Sequence, residues 1–220
     1  MALYRTYSVA QMKDAEWRAE EECGISLATL MDNAGRGLAE AAWAMLDSPG
    51  ASVWVVCGSG NNGGDGYVCA AELRRRGVVV TVFGVAPDDL EEGSLVEAAA
   101  SAYRGDGGDL REVGDLGASD GQPDLIIDAL LGTGVSRPVT GLYARLIDVI
   151  NAASCPVLAC DIPSGVNADD GRIMGTAVRA TRTVVLGLAK HACVLLPGSD
   201  CFGGIELCDI GTPPMPEHSA

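Results

Sequence analysis

Val53-Trp54-Val55-Val56-Cys57 runs directly into Gly58-Ser59-Gly60-Asn61-Asn62-Gly63-Gly64-Asp65-Gly66. A short unbroken apolar run of this kind suits a strand buried on both faces of a parallel sheet. The glycines mark a tight turn, and residues 64–76 read as the helix that follows. Arg74-Arg75-Arg76-Gly77 closes that helix. Three arginines favour the negative end of the helix macrodipole, so they read as a solvated helix end rather than a binding patch. Gly58, Gly60 and Gly63 satisfy the G-x-G-x-x-G dinucleotide fingerprint in its strand–turn–helix context. That alone does not identify a dehydrogenase. Asn61, Asn62 and Asp65 crowd the turn with side-chain oxygens, which suit a hard monovalent cation or a hydroxylated ligand as well as a phosphate. The simpler alternative is a structural turn in which Asn tolerates left-handed geometry.

Outward from this unit the pattern repeats. Strands are predicted at Val78–Val85, Leu125–Leu130, Val157–Asp161, Thr183–Leu188 and Ile205–Asp209, with helices at about Ser94–Tyr103 and Leu142–Ala152. Residues 105–123 are rich in Gly and Asp and read as a surface loop around a weak strand near Leu110–Val113. Before the first strand, Ser8 and Gln11 form a capping box for a helix through about Glu21. Ser26 caps a second helix running toward Leu46, with Leu27, Leu30, Met31, Ala34, Leu38 and Ala41 on one stripe. Asp47-Ser48-Pro49-Gly50 stops it. Repeated β-then-α units predict one Rossmann-like domain over residues 1–220. It is a three-layer α/β/α sandwich with a mostly parallel central sheet. The two leading helices are additional, expected to pack across the core and to offer a dimer surface.

Composition narrows the function. The 220 residues carry 30 acidic against 15 basic side chains, a formal charge of −15. Nucleic-acid binding and docking on anionic membranes both need a basic surplus, so neither is expected. A small anion held by backbone N–H groups is still compatible with this charge. The eight cysteines include no CxxC pair and several sit in apolar runs, as buried thiols do in a reducing compartment. With His191 and His218 the only histidines, zinc has few ligands. The N-terminus lacks the apolar core of a signal peptide, and no apolar run is long enough to span a bilayer. A soluble cytoplasmic protein is expected.

Ligands of open α/β sheets sit outside the carboxyl ends of the strands. Two such ends carry an aspartate on an apolar strand: Asp128 in L-I-I-D-A-L and Asp161 in V-L-A-C-D-I-P-S-G-V-N. Burying a carboxylate is costly unless it is paired or functional. The bland alternative is that both merely cap their loops. Asp128 leads into Leu131-Gly132-Thr133-Gly134-Val135-Ser136-Arg137-Pro138, and Ser164 follows Asp161 behind the rigid Pro163.

The combination G-S-G-N-N-G-G-D-G, I-D-A-L-L-G-T-G and D-I-P-S-G-V-N, in this order, resembles the NAD(P)H-hydrate epimerase family, the YjeF N-terminal domain type also known as apolipoprotein A-I-binding protein. The likeness extends from Y-S-V-A-Q-M-K-D-A-E through L-M-D-N-A-G-R-G to G-I-E-L-C-D-I-G-T-P. It implies an isomerase that interconverts the R and S forms of hydrated NADH and NADPH (NADHX, NADPHX), with a companion dehydratase consuming the S form. It further implies substrate contacts from Asn61, Asn62, Gly63, Gly64 and Asp65, from Gly132, Thr133, Gly134, Val135, Ser136, Arg137 and Pro138, and from Asp161. A potassium ion would be held by Asn62, Asp128 and Ser164, and a homodimer is expected.

The hydrated carbon C6 is bonded to a hydroxyl and to ring nitrogen N1, a hemiaminal. The N1 lone pair can expel the hydroxyl if an acid protonates it. Asp161 is the expected acid/base, its proton retained by burial and by a neighbouring Asp128. Lys190 is one of only two lysines. It is read either as neutralising phosphate or Asp161, or as a solvated loop residue. Three other readings stay open. A nicotinamide-dependent oxidoreductase would have only Asp88 or Asp89 for its ribose, a non-catalytic binding domain would share the fold, and the chain can be half of a bifunctional epimerase–dehydratase.

Overall fold

The computed structural model describes residues 5–48, 50–117 and 121–216. Pro49, invoked above as part of the helix stop, and His218 lie outside the described residues. The core is a seven-stranded sheet: β1 (Ser52–Cys57), β2 (Val79–Gly84), β3 (Asp109–Glu112), β4 (Leu125–Ala129), β5 (Val157–Cys160), β6 (Arg182–Leu186) and β7 (Gly204–Cys208). Their spatial order is β3-β2-β1-β4-β5-β6-β7, and every pairing in the sheet is parallel. The strand order reverses between β1 and β4, the place where a doubly wound sheet opens a crevice at its carboxyl edge.

Among the described residues five α-helices cover the sheet: α1 (Val9–Cys23), α2 (Leu27–Trp43), α3 (Asn61–Arg75), α4 (Leu95–Gly105) and α5 (Gly141–Ala152). Successive strand residues face opposite sides, and β1 shows the division of labour. Val53, Val55 and Cys57 join Leu30, Leu38, Tyr67, Leu73 and Tyr103 in a core shared with α1 to α4. Val56 faces the other way, against Leu146, Ile147 and Ile150 of α5. The leading helices therefore complete one layer of the sandwich. The opposite layer is one helix, supplemented by the irregular segments around Ile162, Val166 and Phe202.

The capping box at the start of α1 is present, with Ser8 and Gln11 bonded reciprocally. The largest departure from expectation is at α3, which starts at Asn61 rather than at residue 64. Three glycines in the opening turns depress helix propensity, which hides the true start. They are there for close packing. A Cβ on Gly63 would lie 2.0 Å from the Gly58 carbonyl oxygen, and one on Gly66 would lie 2.6 Å from the Ala129 Cβ. Helix α3 can press onto β1 and β4 only without those side chains. β5 also ends one residue early, because Asp161 turns out of the strand with φ of 65°. Asp tolerates the left-handed region better than most residues, yet it is uncommon there and marks a constrained position.

Among the described residues no helix is long and apolar enough to cross a membrane. All eight cysteines are free, with Cys57, Cys69 and Cys160 buried and Cys23 exposed.

Candidate active site

At the carboxyl edge of the sheet, over the β1–β4 crevice, lies a cavity of about 1050 Å³. Small-molecule sites run to roughly 1,000 Å³, so a dinucleotide-sized ligand can be accommodated. One wall is the turn after β1 with the start of α3. A second is the loop from Leu130 to Thr140 after β4. Asp161, Leu186 and Lys190 form the floor, and α1 and α2 close the remaining side through Met12, Glu16, Leu30 and Met31.

Because α3 begins at Asn61, the sequence N-N-G-G-D is its opening rather than a loop before it. Its first bonded amide is Gly64 N–H, which donates to the Gly60 carbonyl at 3.2 Å. The amides of Asn61, Asn62 and Gly63 have no acceptor among the described residues. Free N–H groups at a helix N-terminus, facing a cavity, favour an anion. This is how the backbone of a chain of net charge −15 adds local positive potential to a cavity also lined by Lys13, Arg137 and Lys190.

The two strand-end aspartates sit in different settings. Asp128 is fully buried. The Ser164 hydroxyl donates to its Oδ1 at 2.6 Å, and the Ser164 amide donates to its Oδ2 at 2.9 Å. Leu131 N–H in turn donates to the Ser164 hydroxyl at 2.8 Å. Burial pushes the Asp128 carboxyl up to about 6, with the bonds from Ser164 and Leu130 acting against it. The pair ties the loop after β4 to the loop after β5, behind the cavity wall. Asn62 is the other expected metal ligand, and its Nδ2 is buried with no hydrogen-bond partner. An amide's oxygen and nitrogen are exchanged by a half-turn of the side chain, which would put an unpaired oxygen there instead. The Ser164 hydroxyl donates to Asp128 and accepts from Leu131, leaving one lone pair free. This donor set of carboxylate, amide and hydroxyl oxygens fits a hard monovalent cation.

Asp161 and Asp128 share no hydrogen-bond partner: Asp128 is held by Ser164 and Leu130. The partner of Asp161 is Lys190, whose buried ammonium donates to Asp161 Oδ1 and, at 2.7 Å, to the Leu186 carbonyl. Leu186 N–H donates to the same Oδ1 at 3.1 Å. All these bonds fall on one oxygen, so Oδ2 is the one available to a ligand. The two readings left open for Lys190 are thereby decided: it pairs with Asp161, and it is buried rather than solvated. Its segment is anchored by Tyr7, which forms an isolated parallel bridge with Lys190 and exchanges backbone bonds with Ala189 and His191.

Among the expected substrate contacts, Asn61, Asn62, Asp65, the whole stretch from Gly132 to Pro138, and Asp161 line the cavity. Gly63 and Gly64 are packed beneath it. Asp88, a candidate ribose acid for an oxidoreductase, is exposed and bonded to Arg104 at 3.0 Å; neither it nor Asp89 lines the cavity.

The family model described as YjeF-related protein N-terminus matches residues 27–192. The chain belongs to the YjeF N-terminus family. Among its relatives, the bifunctional NAD(P)H-hydrate repair enzyme Nnr of Thermofilum pendens is 38% identical over 211 residues, covering 93% of this chain and 40% of that protein. The chain thus spans well under half of such bifunctional relatives. The NAD(P)H-hydrate epimerase of Elusimicrobium minutum is 34% identical, covering 95% of this chain and 96% of that one. Among solved structures, the yeast protein ynu0 superimposes with a TM-score of 0.75 at 22% identity, covering 86% of this chain and 82% of that one. This last likeness concerns the fold.

The YjeF N-terminus match begins at residue 27, so it omits α1, yet α1 is part of the site wall. Glu16 is the residue that sequence reading missed. It follows Met12 on the stripe that also buries Ala15 and Ala19, and a charge interrupting a buried stripe was the available signal. Burial is the main cause raising its carboxyl, with Lys190 opposing and Asp161 adding.

Proposed function

We propose that this chain epimerises hydrated NADH and NADPH at C6, in the cavity over the β1–β4 crevice. The observation that carries the reading is the buried Asp161–Lys190 pair on the cavity floor, beneath the free amides of the α3 N-terminus. A ligand with a pyrophosphate and a hemiaminal ring needs both features in one cavity. Its pyrophosphate docks at the Asn61–Gly63 amides with Arg137 at the rim, and its hydrated ring reaches Asp161 Oδ2. The relatives named as NAD(P)H-hydrate epimerases support the same assignment.

Asn62, Asp128 and Ser164 would hold a potassium ion. Bound there, the ion supplies a fixed positive charge that offsets Asp128 where phosphate approaches. The protein's own groups do the rest. Asp161, fixed in orientation by Lys190 and Leu186 N–H, handles the proton on the C6 oxygen. Apolar side chains from α1 and α2 shield the ring from bulk water. A dehydratase consuming the S form is the functional partner, consistent with the bifunctional relatives. Cytoplasmic residence and a homodimer complete the reading.

Separated R-NADPHX incubated with the full chain in potassium buffer should convert to the S form, read by chromatography, well above the uncatalysed rate. A time course matching the protein-free control would contradict the proposal.

A further inference from the structure

Moving the C6 hydroxyl from one face of the ring to the other requires a proton delivered on one face and a proton removed on the opposite face. Asp161, bonded through Oδ1, offers one oxygen and serves one face. Another carboxylate enters the same cavity from α3, that of Asp65. Asp65 is 9% exposed, yet its carboxylate makes no hydrogen bond or ion pair among the described residues. Among the described residues the fully buried side-chain atom without a partner is Asn62 Nδ2, so the unbonded Asp65 oxygens open into the cavity, where a ligand can meet them. The nearby ammonium is already committed, since Lys190 bonds Asp161 and the Leu186 carbonyl.

We propose that Asp65 is the second proton-transfer group of this site, working across the bound ring from Asp161. The inference rests on the epimerase reading above and assigns that reaction its missing partner. The electrostatic surroundings agree. Burial, and next the Asp161 carboxylate, hold the Asp65 carboxyl far above the usual range, with Glu16 adding and Lys190 opposing. The remaining titratable neighbours, Cys57, Cys69 and Cys160, have thiols that burial pushes up, so they bring no charge. The cavity thus holds, on one element, a carboxyl whose surroundings favour its protonated form and, on another, one paired with an ammonium.

The steps balance without an external reactant. The N1 lone pair forms the N1–C6 double bond as the C6–O bond breaks toward oxygen, and the Asp65 proton makes that oxygen a water molecule. A second water adds to C6 from the opposite face, the π pair returns to N1, and the released proton goes to Asp161 Oδ2. Proton exchange with solvent resets both groups. The reverse reaction uses the same two groups in exchanged roles.

The test is Asp65→Asn in the full chain, assayed for conversion of R-NADPHX. General acid–base catalysis is worth at least about 100-fold, so kcat should fall by that much. KM should stay within about threefold, and S-NADPHX should still raise the melting temperature. A kcat within about threefold of wild type, or a raised KM with unchanged kcat, overturns the proposal. Glu16→Gln supplies a second readout that does not depend on the folding of the first variant. Removing a nearby negative charge should move the alkaline limb of the kcat–pH profile to lower pH, and an unmoved limb counts against Asp65 as the acid. Failure of wild-type protein to convert R-NADPHX would instead overturn the epimerase reading itself.

Discussion

Replacing Lys190 with methionine is expected to remove epimerase activity and to destabilise the fold together. Lys190 is 1% exposed and is the only cation bonded to Asp161 among the described residues. Methionine matches the length of the stem and deletes the ammonium, so Asp161 is left as a buried carboxylate with only Leu186 N–H. Breaking a buried pair from one side costs about 3–5 kcal/mol. For a domain of this size that lowers the melting temperature by about 10 °C. The double variant Lys190→Met/Asp161→Asn separates the two effects. It removes both charges, so stability should return most of the way to wild type while activity stays lost. A double variant as unstable as Lys190→Met would show that the ammonium acts through Leu186 rather than Asp161.

The second large effect concerns Asp128. Its folded-state carboxyl titrates near 6, against an ordinary value of 3.8. Between these values the native state binds more protons than the unfolded chain, so stability falls as pH rises through that window. It does not fall further above it. Two units correspond to about 3 kcal/mol. In potassium-free buffer, urea unfolding from pH 4 to pH 7 should therefore show a wild-type decline, relative to Asp128→Asn, of up to that size. Potassium should restore stability at pH 8, by about 2.7 kcal/mol when it exceeds its dissociation constant 100-fold. It should do nothing for Asp128→Asn. Equal stabilisation of both proteins by potassium would move the ion elsewhere.

Much of this was legible in the chain because periodicity and turn chemistry agreed. Apolar runs ending at Cys57, Ala129 and Cys160 gave the parallel strands, and the aspartates at the ends of two of them, Asp128 within β4 and Asp161 just after β5, pointed at the site. The start of α3 was misjudged because glycine reads as loop; nothing local to Gly63 or Gly66 reveals that Gly58 and Ala129 will press against them. The strand end at Asp161 was misjudged for a related reason. A positive φ is imposed by the loop it must enter, not by its apolar neighbours. The Asp161–Lys190 pair joins residues 29 apart in sequence, so only the pairing of β5 with β6 brings them together. Glu16 was missed because an acidic residue on a helix is ordinarily solvated, and only the packing of α1 over the cavity turns it inward.

The acidity that argued against polyanions coexists with a site for one small anion. The proposed attraction is local, from helix amides, Arg137 and the proposed cation. The net charge continues to oppose nucleic acids, because it acts over the whole surface.

Asp161 is central to every part of this account, and one comparison tests it most directly. Wild-type and Asp161→Asn proteins are given separated R-NADPHX under identical conditions, and formation of the S form is followed by chromatography. Asparagine tolerates the left-handed backbone at this position, so the variant should keep its fold in far-ultraviolet circular dichroism. Rapid conversion by wild type and a loss of at least about 100-fold in the folded variant are expected. Equal rates from the two proteins would contradict the role proposed for Asp161.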